Sequence, residues 1–283
     1  MERVLVAGAT GYLGGFVARE LKSRDYFVRA LARSPGKLDH LHGSLDEIVE
    51  GEVTRPETLE HICDGIDVVF SSIGITKQRN GLTFHDVDYQ GNKNLLDIAR
   101  RAGVRKFVYV SVFNGPKLRH LDIIAAHEDF ADELKASDFD CAVLRPTGYF
   151  SDMGELFKMA RNGRVYLVGS GHNRVNPIHG ADLAVRCVDA IEGSQREIDV
   201  GGPEIMTWRE VAELAFAIQA KPAKVTRIPA WLMWSVVRLV RLFNRHQGEL
   251  LAFFATMATT DVVAPTTGSH SLEEHFRELG GGA

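Results

Sequence analysis

A short apolar run that ends in a glycine-rich turn near the start of the chain constrains the fold more than any other feature. Residues 3–8 are typical of a strand buried in a parallel sheet, and a helical pattern follows through Val17 and Leu21. Between them, residues 8–14 carry glycine at the first, fourth and seventh positions. Such glycines let the backbone turn tightly and let a pyrophosphate approach the free amides of the helix N-terminus. We therefore predict a dinucleotide site here, with a plain strand-to-helix turn as the alternative.

Strands and helices alternate along the first half of the chain. Apolar runs predict further strands at residues 27–32, 48–49, 67–72, 106–111 and 141–146. Helical patterns lie at residues 54–59, 89–102 and 125–136. This alternation predicts an α/β fold, a Rossmann-type doubly wound parallel sheet with helices on both faces.

The alternation loosens after residue 146, and a mainly helical pattern takes over from residue 207. The expected domain organisation is a nucleotide-binding domain over residues 1–150, a substrate lobe over 151–279 and a flexible tail over 280–283. We expect the lobe to be smaller, mostly helical and interleaved with the end of the sheet, because one more helix and strand are predicted near 181–192 and 196–200.

Composition excludes several classes of protein. Lys and Arg total 33 against 37 Asp and Glu, a formal charge of −4, so no basic excess exists to bind nucleic acid. The three cysteines, Cys63, Cys141 and Cys187, are scattered, which favours a reducing compartment over a disulfide framework. His172 and His179 have no partner at metal-ligand spacing, so no metal site is expected. No signal peptide is visible, and we expect a cytoplasmic protein.

The residues after the second predicted strand indicate which dinucleotide is bound. NAD-selective sites place an acidic residue there, whereas this chain has Arg33, 19 positions after Gly14, followed by Ser34 and Lys37. An arginine can bind a 2′-phosphate with two hydrogen bonds, and Arg29 on the same strand is expected to help. NADP(H) is therefore favoured over NAD(H), with a solvated basic loop as the alternative.

Several segments together resemble the short-chain dehydrogenase/reductase superfamily, in its atypical and extended NmrA-like branch. The similarity runs through residues 4–14, 67–74, 88–96, 107–111, 144–150 and 176–184. Isoflavone-reductase-like proteins and, most of all, divinyl chlorophyllide reductases are similar, the latter also at residues 161–163, 201–203 and 264–268. The resemblance implies a Rossmann fold, bound NADP(H) and hydride transfer. It implies cofactor contacts at Gly8, Thr10, Gly11, Tyr12, Leu13, Gly14, Ser72, Ile73 and Gly74.

The chain departs from the family where catalytic members carry a tyrosine and a lysine four residues apart. Those positions fall on Ile123 and His127. Histidine can donate to a ribose hydroxyl or act as an acid near neutral pH, so His127 is the candidate catalytic residue, with a helix-surface residue as the alternative. Ser111 keeps the family serine and is expected to orient a substrate carbonyl, unless it only caps a strand end. The match of Tyr89 and Lys93 to the motif lies one helix too early, and we interpret it as accidental.

Candidate substrate contacts follow the fifth and sixth predicted strands. Open parallel sheets bind ligands beyond the carboxyl ends of their strands. The expected pocket residues are Phe113, Asn114, Tyr149, Phe150 and Met153. Packing between the two lobes is an equally good interpretation of these side chains.

Residues 229–258 are unusually apolar, and Arg238, Arg241 and Arg245 are spaced to share one helical face. The apolar runs are too short to span a bilayer. Three hypotheses stay open: packing within the protein, a homodimer or partner surface, and a helix at a membrane interface.

The leading functional hypothesis is an NADP(H)-dependent reductase of a small, apolar or conjugated substrate. The missing tyrosine motivates a second hypothesis, a non-catalytic NADP(H)-sensing regulator or assembly factor of the NmrA-like type. A weaker alternative is an epimerase or dehydratase, because extended members use the same fold.

Overall fold

The computed structural model describes residues 1–75 and 81–281, which divide into two compact units. The first unit comprises Met1–Arg145 and Leu183–Ile198, and the second comprises Pro146–Asp182 and the chain from Asp199 onward. The first unit therefore ends five residues before the predicted boundary at 150, and the chain returns to it later.

The strands form one large sheet and two small ones. In chain order they are β1 (Arg3–Ala7), β2 (Phe27–Ala32), β3 (Glu47–Glu50), β4 (Val68–Ser71), β5 (Lys106–Val110), β6 (Asp140–Pro146), β7 (Val165–Val168), β8 (Arg174–Val175), β9 (Glu197–Val200), β10 (Met206–Thr207) and β11 (Val225–Ile228). The large sheet has the order β3-β2-β1-β4-β5-β6-β9, and its pairs from β3 through to β6 are parallel. The predicted α/β fold with a parallel Rossmann-type sheet is confirmed.

Strand β1 lies inside this sheet, and its residues from Val4 to Ala7 are fully buried. A strand covered on both faces must be apolar on both, which is why the run shows no alternation of polar residues. Aromatic rings from the sheet and a flanking helix meet in the same unit, where the centroids of Phe107 and Phe130 lie 5.8 Å apart.

Helices follow the strands. They are α1 (Tyr12–Ser23), α2 (Asn92–Arg101), α3 (Asp122–Ala136), α4 (Phe150–Arg161), α5 (Gly180–Glu192), α6 (Trp208–Ile218), α7 (Ala230–Phe243), α8 (Arg245–Thr259) and α9 (Leu272–Gly281). A π-helical segment, His85–Gly91, leads directly into α2. The helix predicted from residue 54 is only a 3-10 turn, Pro56–Thr58, in which the Thr58 hydroxyl accepts from the Glu52 amide and donates to the Arg55 carbonyl.

The prediction of three arginines on one helical face is wrong. Helix α7 ends at Phe243, and Asn244 is extended, with its side chain accepting a hydrogen bond from the Gln247 amide at 3.0 Å. This cap starts α8, so Arg245 belongs to a different helix from Arg238 and Arg241. Within residues 1–75 and 81–281, no helix is both long and apolar enough to cross a bilayer.

The last helix reaches into the segment that sequence analysis predicts to be a flexible tail. Helix α9 continues through Gly281, so the first two residues of the predicted flexible tail are helical. The rest of that tail, residues 282–283, lies outside the described residues.

Candidate functional site

The glycine turn between β1 and α1 brings the start of the helix very close to the end of the strand. Gly8 has φ +100°, a conformation that favours glycine, and the Gly11 amide donates to the Gly8 carbonyl at 2.9 Å. A Cβ atom on Gly14 would lie 2.2 Å from the Gly8 oxygen, so only glycine allows α1 to start this close to β1. The turn therefore presents its backbone, and the N-terminus of α1, at the carboxyl edge of the sheet.

A groove opens in front of this turn. Of the predicted cofactor residues, those that line it are Gly8, Thr10, Gly11, Arg33, Ser72, Ile73 and Gly74. The predicted contacts Tyr12, Leu13 and Gly14 are not among its lining residues: Leu13 is buried in the core and the Tyr12 ring packs on Phe16. For Tyr12 and Leu13, a contact to the cofactor through the backbone amide stays a prediction.

A second cavity shares Thr10, Arg33 and Glu52 with the groove. It is also lined by the predicted residues Ser34 and Lys37, and by three further residues that sequence analysis missed, Thr54, Arg55 and Leu82. Three cationic side chains, from Arg33, Lys37 and Arg55, thus border one cavity beside the glycine turn. This is the charge that a phosphate on the adenosine ribose requires.

One carboxylate lies among these cations. Glu52 follows β3, and its Oε2 is 3.5 Å from Nη1 of Arg33, whose side chain is 52% exposed. A carboxylate this close to an exposed arginine competes with a phosphate for it. The residue was missed because its position at the site depends on β3 ending at the same edge as β1 and β2.

The expectation that Arg29 helps to bind phosphate is wrong. Its guanidinium is buried, with Nε bonded to Glu47 at 2.8 Å and Nη1 donating to the carbonyls of Ile62 and Asp64 at 2.9 Å. Arg29 therefore ties β2 to β3 and to the turn after residue 61.

His127 lies in a buried chain of polar groups. Its Nδ1 is 2.6 Å from the hydroxyl of Tyr109, and its Nε2 is 3.1 Å from Oδ1 of Asp88. A Cβ atom on Gly74 would lie 3.1 Å from the His127 ring, so the imidazole stands directly behind a residue that lines the groove. His127 is only 12% exposed and has a partner at each nitrogen, which contradicts the helix-surface alternative.

The two partners of the His127 ring favour one tautomer of the neutral imidazole. When Nε2–H donates a hydrogen bond to the Asp88 carboxylate, Nδ1 carries the lone pair that accepts a hydrogen bond from the Tyr109 hydroxyl. Asp88 also accepts from the amide of Ile75, which lines the groove. Sequence analysis missed Asp88 and Tyr109. The apolar pattern of a helix or strand does not show which buried polar side chains contact each other in the folded protein.

Ser111 also has a buried partner. Its hydroxyl donates to Oε1 of Glu128 at 2.5 Å, and Glu128 binds Arg145 through Nε at 3.1 Å and Nη2 at 2.9 Å. Burial disfavours the charged form of Arg145, but its hydrogen bonds to Glu128 and Glu197 outweigh that effect and raise its pKa. Ser111 thus closes a buried ion-pair network inside the first unit.

Tyr89 and Lys93, the residues of the displaced motif, share one partner. Glu133 accepts from the Lys93 ammonium at 2.8 Å and from the Tyr89 hydroxyl at 3.4 Å. Both side chains therefore link the π-helical segment and α2 to α3.

The predicted substrate residues are divided between the units. Phe113 and Asn114 are half-buried in the first unit, after β5, and Asn114 has φ 59°. In the second unit Tyr149 is half-buried, whereas Phe150 and Met153 are buried, and the Phe150 ring packs against His179 and His275.

In the part of the chain that the structure describes, no group of three His, Cys, Asp or Glu side chains is arranged to hold a metal ion. Cys63, Cys141 and Cys187 are free and buried. Burial raises the pKa of the Cys63 thiol to about 12, which keeps it protonated and unreactive near neutral pH.

A protein-family model described as NAD(P)H-binding matches residues 8–193, about two thirds of the chain. The match starts at the glycine turn and includes the Arg33 loop and the helix of His127. The protein therefore belongs to this NAD(P)H-binding family, and the predicted binding of a nicotinamide dinucleotide is confirmed at that level.

Two curated relatives cover most of the chain. Photosystem II assembly factor Ycf39 of Synechocystis is 27% identical over 270 residues, which span 91% of this chain and 80% of the relative. The chloroplastic divinyl chlorophyllide a 8-vinyl-reductase of Arabidopsis thaliana is 27% identical over 307 residues, spanning 96% and 72%. The resemblance to divinyl chlorophyllide reductases found in the sequence is confirmed.

Solved structures match the fold over nearly its full length. An NADPH-dependent quinone oxidoreductase of Escherichia coli, in complex with NADPH, superposes with a TM-score of 0.78 at 17% identity and covers 99% of both chains. A triphenylmethane reductase of Citrobacter has a TM-score of 0.77 at 17% identity, covering 98% of this chain and 99% of the other. At these identities the matches confirm the fold.

Proposed function

We propose that this protein is an NADP(H)-dependent reductase of a small, apolar or conjugated substrate. The observation that carries the proposal is the continuity between the glycine-turn groove and the cavity bordered by Arg33, Lys37 and Arg55. Related proteins support it, since a divinyl chlorophyllide reductase is similar in sequence, and quinone and triphenylmethane reductases share the fold.

The residues present fit the cofactor. The amides of the glycine turn and the N-terminus of α1 bind its pyrophosphate, while Arg33, with Lys37, Ser34 and Arg55 beside it, binds the 2′-phosphate. The glycine cradle leaves room for this, because a Cβ on Gly8 would meet Ser72 Oγ at 2.7 Å. When bound, the cofactor supplies the hydride, and the protein contributes chiefly position.

His127 is the proposed source or orienting group for the proton. Asp88 and Tyr109 hold its ring. In its protonated form the imidazole would pass the Nδ1 proton through the Tyr109 hydroxyl to the substrate as the hydride arrives, and would regain a proton from solvent. We also propose that Ser111 contacts a substrate carbonyl. For this contact the Ser111 hydroxyl must break its hydrogen bond to Glu128. Phe113, Asn114, Tyr149, Phe150 and Met153 remain proposed substrate contacts.

The test is calorimetric titration with NADPH, NADP+ and NADH. We expect the phosphorylated forms to bind more tightly, and Arg33→Ala to weaken NADPH binding by about 10- to 100-fold, since hydrogen bonds to charged groups contribute about 1.5–3 kcal/mol each. NADH binding should not change in that variant.

Arg101→Ala is the matched control, because Arg101 is exposed at the end of α2 and lines neither cavity. Equal affinity of Arg33→Ala and wild type for NADPH would remove Arg33 from the phosphate site. Failure of all three dinucleotides to bind wild-type protein would overturn the proposed function.

A second candidate is an NADP(H)-binding assembly factor without turnover. It is favoured by the similarity to Ycf39 and by buried, apolar Ile123 at the position where catalytic relatives carry tyrosine. It predicts tight NADPH binding, no oxidation of NADPH with quinone or enone acceptors, and a stable protein partner. Catalytic NADPH oxidation that depends on His127 would exclude it.

Two finer proposals concern assembly and location. We propose a cytoplasmic protein that acts on a small molecule, and a homodimer as its oligomeric state. Sedimentation velocity tests the dimer. Fractionation of cells that express the tagged full chain tests the location.

A further inference from the structure

Helix α7 exposes an apolar face along its whole length. Six large side chains on it are between 41% and 84% exposed: Trp231, Leu232, Val236, Leu239, Leu242 and Phe243. At 100° per residue these positions fall within an arc of about 140°, one side of the helix. We call this set of six residues the α7 apolar face.

The rest of α7 is packed in the ordinary way. Val237, on the other side of the helix, is fully buried, and a Cβ on Gly248 of α8 would lie 2.3 Å from Cγ of Arg241. Arg241 also pairs with Glu249 at 2.9 Å. The two helices therefore form a close hairpin that leaves the α7 apolar face outside, and a contiguous patch of this kind marks an interaction surface.

The sequence segment that contains α7 is one-sided in charge. Residues 214–248 contain no Asp or Glu and six cationic residues, although the whole chain has a formal charge of −4. The six are Lys221, Lys224, Arg227, Arg238, Arg241 and Arg245, of which Arg241 is already paired with Glu249 of α8. An apolar stripe with basic residues and no acidic ones is the pattern of a helix that lies in the interface of an anionic bilayer.

We propose that the α7 apolar face inserts into the surface of membranes that contain anionic lipids. Trp231 and Phe243 enter the boundary between headgroups and acyl chains, while Arg238, which is exposed on the same helix, binds lipid phosphates. A second copy of the chain fits less well, because a two-fold contact through α7 offers the exposed Arg238 of each copy no Asp or Glu of the partner's α7 to pair with. This proposal does not depend on the dinucleotide site.

The experiment is vesicle flotation of the full chain, with phosphatidylcholine vesicles compared to vesicles that also contain phosphatidylglycerol. We expect wild-type protein to bind the anionic vesicles. The Leu239→Glu/Leu242→Glu variant should bind them more than about tenfold more weakly, because two leucine side chains are no longer buried in the bilayer surface. Arg238→Gln should weaken binding by about fivefold, the share of one basic residue at an anionic surface.

Ile205→Glu is the matched control, because Ile205 is also a 49% exposed apolar residue of the second unit but lies outside α7. It should bind vesicles as wild type does, and thermal melts should show all variants folded. Absence of wild-type binding to anionic vesicles, or equal binding by Leu239→Glu/Leu242→Glu, would overturn the proposal. A vesicle-free dimer that this double substitution converts to monomer would assign the face to a second copy instead.

Discussion

The two halves of the candidate site use their polar groups in opposite ways. On the cofactor side, backbone amides and the exposed Arg33 border open cavities. On the proposed catalytic side, His127 and Ser111 are nearly or fully buried, and each has partners inside the first unit. The proposed recognition groups thus lie at open cavities, whereas the proposed chemical groups are held in the interior.

The difference shows where each half can tolerate change. A cofactor contact made by an exposed side chain can be removed with little effect on folding, since few other groups depend on it. A buried polar group cannot, because its removal leaves a desolvated partner behind. The glycine turn is the exception on the cofactor side, since it combines recognition with tight packing.

The largest effect is expected for Gly14→Ala. The added Cβ would lie 2.2 Å from the Gly8 oxygen, so α1 must move away from β1. We expect the free energy of unfolding to fall by about 2–3 kcal/mol, a typical cost of overpacking, and NADPH binding to be lost with it. Urea unfolding and calorimetry measure the two effects. Gly43→Ala is the control, because a Cβ there meets nothing within 4 Å; a stable, NADPH-binding Gly14→Ala would contradict the close approach.

The second-largest effect is expected for His127→Ala, which tests whether His127 acts in the reaction or only in folding. We expect His127→Ala to lower kcat for NADPH oxidation with a quinone acceptor by about 100-fold or more, the usual contribution of an acid–base group. The Kd for NADPH should change far less. Some stability is also lost, because the buried Asp88 gives up one partner, so kcat is compared per folded molecule.

Tyr109→Phe tests whether this effect runs through the network. It removes only the hydroxyl at Nδ1 and keeps the ring that packs on Phe130. An intermediate loss of kcat with an altered pH profile is expected if Tyr109 positions His127. Tyr166→Phe, at a 51% exposed tyrosine, is the control. Wild-type turnover in both His127→Ala and Tyr109→Phe would make the network purely structural.

The sequence predicts those parts of the molecule whose structure depends on residues close together in the chain. The glycine turn and the apolar strands depend on neighbouring residues, so Gly8, Arg33 and the parallel sheet follow from pattern. Glu52 and Arg55 join the site only because a third strand ends at the same edge.

Buried polar partners are the other class that sequence does not reveal. Asp88 and Glu128 occupy positions in regular helical patterns, and only the packed structure shows that each carboxylate meets a specific partner. For Arg29 the strand was predicted correctly but the role was not. Its guanidinium donates a hydrogen bond to Glu47 of the neighbouring strand rather than binding a phosphate.

The smallest effect is expected for Glu52→Gln, which tests whether Glu52 competes with the cofactor phosphate for Arg33. Removing the carboxylate 3.5 Å from Arg33 leaves that guanidinium to the phosphate and removes a like-charge repulsion. We expect NADPH binding to tighten by about two- to fivefold, the scale of an exposed ion pair, with little change for NADH. Calorimetric Kd ratios of the two dinucleotides measure it. If NADH affinity falls instead, Glu52 holds ribose hydroxyls, and the cavity then recognises the sugar through this acid rather than the phosphate through Arg33.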